Sequence, residues 1–172
     1  MIRIFCLGLL LAFSVSSHSQ INTIQFQGLA FPLYPGWSNL TILPFGFGVR
    51  TDETARPTGP GTLSVSELEH NEYMIELEDG TQVSMIALLE DHLLGKNEDH
   101  SASAVKSGIT QSFQSASPLD HRSLSIFVED SPYLPNQFKA YIIRANKNTI
   151  EVSASMTHEE FSEYLMEVRP AN

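Results

Sequence analysis

The sequence is almost free of cysteine, because Cys6 is the only one in 172 residues. Cys6 lies in an apolar stretch near the start, so the rest of the chain has no thiol for a disulfide or a cysteine-ligated metal site. About 150 residues can still bury roughly 70% of the unfolded chain's surface, which is enough for one domain held by its core. Small secreted animal domains commonly depend on disulfides, so the composition favours a bacterial periplasmic or released protein.

Positive charge is also scarce. Ten Lys and Arg stand against twenty Asp and Glu, which gives a formal net charge of −10. Binding to nucleic-acid backbones or anionic lipid surfaces requires clustered Lys and Arg, whereas the basic residues here are scattered. We therefore expect no nucleic-acid binding, and we expect an acidic surface that suits a basic protein partner.

Long hydrophobic runs are absent except at the start of the chain. Arg3 precedes an almost unbroken apolar run over residues 4–15, and several serines follow it. This is the pattern of a secretory signal peptide over residues 1–19, and the run is too short to span a bilayer. We expect cleavage between Ser19 and Gln20. The remaining 20–172 would then be secreted or periplasmic, with no stable membrane anchor.

Residues 20–49 contain no charged side chain, but they hold six aromatic residues among several Pro and Gly. Alternation around Ile24 and Phe26 predicts a strand. Two short strands are predicted at 40–43 and 45–49, and Pro44 limits them to a sheet edge or a bend. We expect this zone to consist of strand and irregular loop.

The aromatic residues of this zone have two interpretations. Uncharged segments are usually buried, which favours a core reached by irregular backbone. The alternative is a binding mouth in which exposed rings stack on sugars or contact a lipid or a protein. Its candidate residues are Tyr34, Trp37, Phe45 and Phe47, of which Trp37 is expected to be the most exposed.

Two polar stretches divide the rest of the chain. Residues 51–62 are rich in Pro and Gly, which predicts a surface loop. Residues 97–117 are rich in serine. There the pattern leaves two alternatives open, a mobile loop or a weak helix around 105–113.

The remaining segments predict hairpins and helices. Asp79-Gly80 joins strands at 73–77 and 81–83, a single strand follows at 124–128, and strands at 138–144 and 149–155 form a second hairpin. Ser84 caps a helix that runs to residue 94, and a capping box of Thr157 and Glu160 opens a helix through residue 168. We therefore expect a single α+β domain after the signal peptide, an antiparallel sheet with two or three helices packed mainly on one face.

The sequence contains no recognisable arrangement for catalysis, metal binding or nucleotide binding. His158-Glu159 lacks the second histidine of the zinc-protease pattern, and the Asp-His neighbours at 91–92, 99–100 and 120–121 point apart on regular backbone. No Gly-x-Ser-x-Gly elbow is present, and the glycine-rich segments lack a following helix or lysine. We expect no enzyme activity, no metal and no cofactor.

One acidic surface is predicted around the first hairpin. Its residues are Glu67, Glu69, Glu72, Glu76 and Glu78. It is either a solvated face or a docking site for a basic partner. We expect a small, acidic, exported protein that acts through protein-protein contact, of the inhibitor or immunity type. The alternative is a carbohydrate- or lipid-binding module that uses the aromatic segment 26–47.

Overall fold

A computed structural model describes residues 22–34, 36–37, 39–51, 62–76, 80–96, 116–130, 132, 134 and 136–171. This part of the chain is mostly β, with 52% strand, twelve strands in three antiparallel sheets and two short helices. The expected α+β fold, with two or three helices packed on a sheet, is therefore wrong. The signal peptide 1–19 and the possible helix at 105–113 lie outside the described residues.

The strands are numbered in chain order. They are β1 Asn22–Phe26, β2 Leu29–Leu33, β3 Asn39–Leu43, β4 Gly46–Arg50, β5 Thr62–Leu68, β6 Met74–Glu76, β7 Gln82–Ser84, β8 Ala116–Leu119, β9 Ser125–Glu129, β10 Gln137–Ile143, β11 Thr149–Ser155 and β12 Arg169–Pro170. The helices are α1 Met85–Leu93 and α2 His158–Glu167.

The largest sheet has seven strands in the order β3-β4-β5-β11-β10-β9-β8. A second sheet of three strands has the order β1-β2-β12, and β6 and β7 form a two-stranded sheet. In the described part, β3 and β8 are therefore the edge strands of the large sheet. All of the strand pairs are antiparallel.

The core lies on one face of the seven-stranded sheet. Successive strand residues point to opposite faces, and in β11 the apolar members Ile150, Val152 and Ala154 all point into the core. β2 and α2 contribute the side chains that cover this face, namely Leu29, Phe31, Phe161, Tyr164 and Leu165. A sheet face is thus covered by a second, smaller sheet together with one helix, and the fold is not a sheet covered by helices alone.

Both helices begin where the sequence predicts. Ser84 Oγ accepts a hydrogen bond from the Ala87 N–H at 3.3 Å and caps α1. At the start of α2, Thr157 Oγ1 accepts from the Glu160 N–H at 3.3 Å, and Glu160 Oε2 accepts from the Thr157 N–H at 2.9 Å. The capping box is confirmed, because each side chain satisfies a backbone donor that the first helical turn leaves unpaired.

The expected α+β fold class is wrong because the sequence pattern did not reveal several of the strands. The uncharged zone was expected to be partly irregular loop, but it forms the four strands β1 to β4. Thr62, expected at the end of a loop, begins β5 in the middle of the large sheet, while Ala116 and Ser117 belong to β8. Residues 52–61 and 97–115 of the two expected loops lie outside the described residues.

Candidate functional site

The β3–β4 hairpin forms one edge of the large sheet. Its register pairs Leu43 with Gly46, so Pro44 and Phe45 alone make the turn. Pro44 has no backbone N–H to donate and is therefore suited to a turn at the sheet's edge. The sequence-based prediction of two strands limited by Pro44 to an edge or a bend is confirmed.

Two rows of apolar side chains run across the large sheet from the core to β3. The members of these rows that lie in β3 are not covered by β2 and α2. One row runs across the sheet in the order Ile42, Phe47, Val65, Val152, Ala140, Val128. Phe47 and Val65 are each 1% exposed, but Ile42 at the end of the row is 67% exposed. The next row ends in the same way at Leu40, which is 47% exposed. The core layer therefore continues onto an open surface.

We call the four exposed large apolar side chains of this hairpin, Leu40, Ile42, Leu43 and Phe45, the hairpin edge. Leu43 and Phe45 are 53% and 51% exposed. Leu40 and Ile42 lie on the core face of β3, Leu43 lies on its opposite face, and Phe45 lies in the turn, so apolar side chains are exposed on both faces of this edge.

The backbone of β3 presents a second feature at the same place. The Glu67 N–H donates to the Phe45 carbonyl at 2.8 Å, so the main-chain groups of Phe45 point toward β5. Main-chain direction alternates along an antiparallel strand, so Phe47 and Val49 also face β5 and their neighbours in β4 face β3. By the same alternation, the N–H and C=O groups of Leu40 and Ile42 point away from the sheet. No described strand pairs with them.

The aromatic residues predicted as a binding mouth lie in different environments. Phe47 is buried, with its ring centroid 5.5 Å from that of Phe31. Tyr34 and Trp37 are half-buried, and each ring centroid lies 5.6 Å from that of Tyr164 in α2. Of the four candidates, only Phe45 belongs to the hairpin edge.

The predicted acidic surface is only partly solvated. Glu72 and Glu76 are exposed, Glu69 is half-buried, and Glu78 lies outside the described residues. Glu67 points toward other groups of the protein, since it accepts a hydrogen bond from Gln27 Nε2 at 2.6 Å and lies 3.8 Å from Arg144 Nη2. Sequence reasoning had no signal for this pairing, because Arg144 is distant in the chain.

Glu67 belongs to a polar cluster that joins four elements. Arg144 donates to the carbonyl oxygens of Gln27, in the β1–β2 turn, and of Asn148, in the β10–β11 turn. His70 follows β5, and its two ring nitrogens lie 3.2 Å from Asn148 Oδ1 and 3.1 Å from Glu90 Oε2 of α1. Only the protonated ring can donate to both oxygens. The cluster therefore fixes loops and α1 to one end of the large sheet.

The His70 ring is expected to make stability depend on pH. Burial lowers the pKa of His70, but the hydrogen bond and charge of Glu90, with the hydrogen bond to Asn148, raise it more, so the net pKa lies above 6.5. The stabilisation is then complete below pH 6.5 and is lost as pH rises through the folded-state pKa. Because the side chain is 38% exposed, solvent limits the effect to about 0.5 kcal/mol.

Urea unfolding of the parent and of His70→Gln, from below pH 6.5 to above the folded-state pKa of His70, measures this loss of stability. The variant should not show it. An NMR titration of His70 should give a lower pKa in Glu90→Gln and no change in the control Glu159→Gln, which alters an exposed carboxylate of α2. An unchanged His70 titration in Glu90→Gln would contradict the assignment.

A groove of about 510 Å³ lies between β1–β2 and the end of α2, and His121 is one of its lining residues. His121 Nδ1 accepts from the N–H groups of Ser123 and Leu124, at 3.2 and 3.1 Å, so Nε2 carries the proton and donates to the Val168 carbonyl at 2.9 Å. Both ring nitrogens thus serve to fix the loop after β8 to the end of α2. The described residues contain no group of three or more His, Cys, Asp or Glu that could hold a metal ion.

The opposite face of the large sheet carries a buried polar pair. Tyr141 Oη donates to Glu129 Oε1 at 3.0 Å. Burial raises the pKa of Glu129, and burial together with the Glu129 carboxylate raises the pKa of Tyr141. Each group is the other's hydrogen-bond partner, so the pair accounts for two polar groups that would otherwise be costly to bury.

No helix within the described ranges is both long and apolar enough to cross a membrane. In comparisons with known proteins, no family model matches the chain, and neither a curated protein nor a solved structure matches it. Its function must therefore be inferred from the site itself.

Proposed function

We propose that this chain is a small exported protein without enzyme activity, which acts by binding another protein through the hairpin edge. The observation that carries the proposal is the pair of core rows that end at the exposed Leu40 and Ile42. Apolar side chains exposed to water, beside main-chain groups with which no described strand pairs, are typical of a surface that another protein covers.

The charge of the chain supports a basic partner. If the signal peptide is removed, Arg3 is lost with it, and nine Lys and Arg then stand against twenty Asp and Glu, a net charge of −11. Such a charge speeds association with a basic protein and disfavours acidic ones. An inhibitor or immunity-type protein of the periplasm or the secreted fraction is the concrete form that we propose.

The alternative function, a carbohydrate or lipid module built on the aromatic segment, has less support. Sugar stacking requires an open ring face. Phe47 is 1% exposed, and Tyr34 and Trp37 pack against Tyr164. Phe45 remains exposed, but it lies in the turn of the β3–β4 hairpin, whereas the other three aromatic residues are buried or half-buried.

The experiment tests whether partner binding depends on Ile42. Mature protein is immobilised and exposed to the secreted and periplasmic fractions of its source organism, with Ile42→Lys and Met166→Lys prepared in parallel. Met166 is 44% exposed on α2, so the control adds the same charge to another exposed apolar position. We expect the parent and the Met166→Lys control to retain the same basic protein.

Retention by Ile42→Lys should fall at least about tenfold, because a lysine ammonium would have to be buried in an apolar contact. The proposal fails if the parent retains no partner, or if Ile42→Lys retains it as well as the parent does.

A further inference from the structure

We propose that the hairpin edge takes an extended segment of its partner as an added strand, antiparallel to β3, so that the seven-stranded sheet becomes eight-stranded. This inference rests on the proposed protein-binding function and specifies how the partner binds. In this form of recognition, main-chain hydrogen bonds supply affinity and alternate side chains supply specificity.

β3 carries neither charged side chains nor proline, two of the usual features that prevent strand pairing, and no described strand pairs with its outer edge. Natural edge strands are protected by charged side chains, proline, bulges or a covering loop. β3 is Asn-Leu-Thr-Ile-Leu, with no charge and no proline, and its register with β4 is continuous over five pairs. Since no described strand pairs with the N–H and C=O groups of Leu40 and Ile42, these groups can pair with two residues of an added strand.

An extended segment suits the edge of β3 better than a folded body does, because the main chain of the segment also forms hydrogen bonds along the edge.

Charge argues against a second copy of this chain as the occupant. Two copies of the mature chain, with nine Lys and Arg against twenty Asp and Glu, would each carry a formal charge of −11, and this like charge would oppose their approach. β3 and its turn hold no charged side chain of either sign. A segment of a different, basic protein meets no such repulsion.

The rows of the sheet define the segment's chemistry. The two residues opposite Leu40 and Ile42 lie on the core face and should be apolar and β-branched. The residue between them lies beside Thr41, whose cross-strand neighbour in β4 is Gly48, and should be small or polar. Basic residues at the ends of the segment suit the negative charge of the chain.

The probe is the synthetic peptide Lys-Thr-Val-Thr-Val-Thr-Lys, whose valines can lie opposite Leu40 and Ile42. It is titrated into the mature protein up to about 1 mM, with binding followed by amide NMR shifts. We expect the largest shifts at Leu40 and Ile42. N-methylation of both valines should weaken binding at least about tenfold, because it removes the donors that face β3. N-methylation of the central threonine, whose N–H faces away, should leave binding within about twofold.

The matched protein variants are Ile42→Pro and Ile42→Val. Proline is tolerated in an edge strand where the N–H faces outward, so Ile42→Pro should keep the β3–β4 ladder and an apolar side chain while removing one donor. It should weaken peptide binding at least about tenfold, whereas Ile42→Val should stay within about twofold. If Ile42→Pro does not fold, the N-methylated peptides test the same hydrogen bonds on the parent.

Three results would overturn the inference. The first is that the parent does not bind the peptide. The second is that Ile42→Pro binds the peptide as well as the parent does and that the parent binds the N-methylated peptides as well as the unmodified one. The third is that the parent sediments as a dimer and Ile42→Pro as a monomer, because a second copy of the chain would then occupy the edge. In the first two cases, the proposed function would still be supported if Ile42→Lys lost the partner that the parent retains. The failure of this inference can therefore be told apart from the failure of the proposed function.

Discussion

Truncation of Phe161 to alanine is expected to lower the free energy of unfolding by about 3–5 kcal/mol. Phe161 is 0% exposed in α2, and its ring lies 6.5 Å from that of Phe138 in β10. The variant would lose the transfer free energy of the ring and leave a cavity between the helix and the large sheet. Urea unfolding followed by circular dichroism measures the loss.

Met166→Ala is the control for this prediction. Met166 belongs to the same helix and is 44% exposed. Its truncation should cost less than about 1 kcal/mol, since surface substitutions usually have small effects. Equal losses in the two variants would mean that α2 does not cover the core in solution.

Gly46→Ala is the second change for which we expect a large effect. A Cβ atom at this position would overlap the Val65 carbonyl oxygen and would lie 3.1 Å from Ser66 Cα. Both atoms belong to the backbone of β5, so no side-chain rotation can relieve the clash and the strands must separate. We expect a loss of about 3 kcal/mol, the upper end for overpacking, in the free energy of unfolding. Weaker partner retention should accompany it, because the hairpin edge would be displaced.

Gly48→Ala is the matched control in the same strand. The nearest atom to its added Cβ is the Leu63 carbonyl oxygen at 3.7 Å, which is an ordinary contact. Alanine also has less conformational freedom than glycine in the unfolded chain, so this variant should be unchanged or more stable by about 0.5 kcal/mol. Thermal and urea unfolding measure the stability of the two variants. Equal stability of Gly46→Ala and Gly48→Ala would contradict the prediction.

The elements that could be predicted from the sequence depend on neighbouring residues. The caps at Ser84 and Thr157 involve backbone groups three residues away. The hairpin of β10 and β11 closes through a short turn, in which Asn146 adopts a φ of 58°. Such local interactions leave a readable pattern, and these predictions are confirmed.

The elements that were missed depend on partners far away in the chain. β5 pairs with β4 on one side and with β11 on the other, where Leu68 lies opposite Thr149. β2 was missed as well, although Leu29 and Phe31 cover the core. A short apolar segment can become strand or loop, and only its distant partners decide which, so an α+β fold was expected where a mostly β fold forms.

The candidate site was only half visible in the sequence. The short apolar segments on either side of Pro44 correctly predicted two strands limited to a sheet edge or a bend. Exposure left no trace in the pattern, since Phe45 and Phe47 lie two residues apart in the same uncharged zone and are 51% and 1% exposed.

By itself the sequence determined the acidic charge, the near-absence of cysteine, the helix caps and the hairpin turns, because these depend on composition or on residues within a few positions of one another. Only the tertiary structure decided that a smaller sheet and one helix cover the large sheet, and that this cover stops before β3. Burial depends on which distant segments meet, and an apolar side chain has the same identity in the sequence whether it is covered or open.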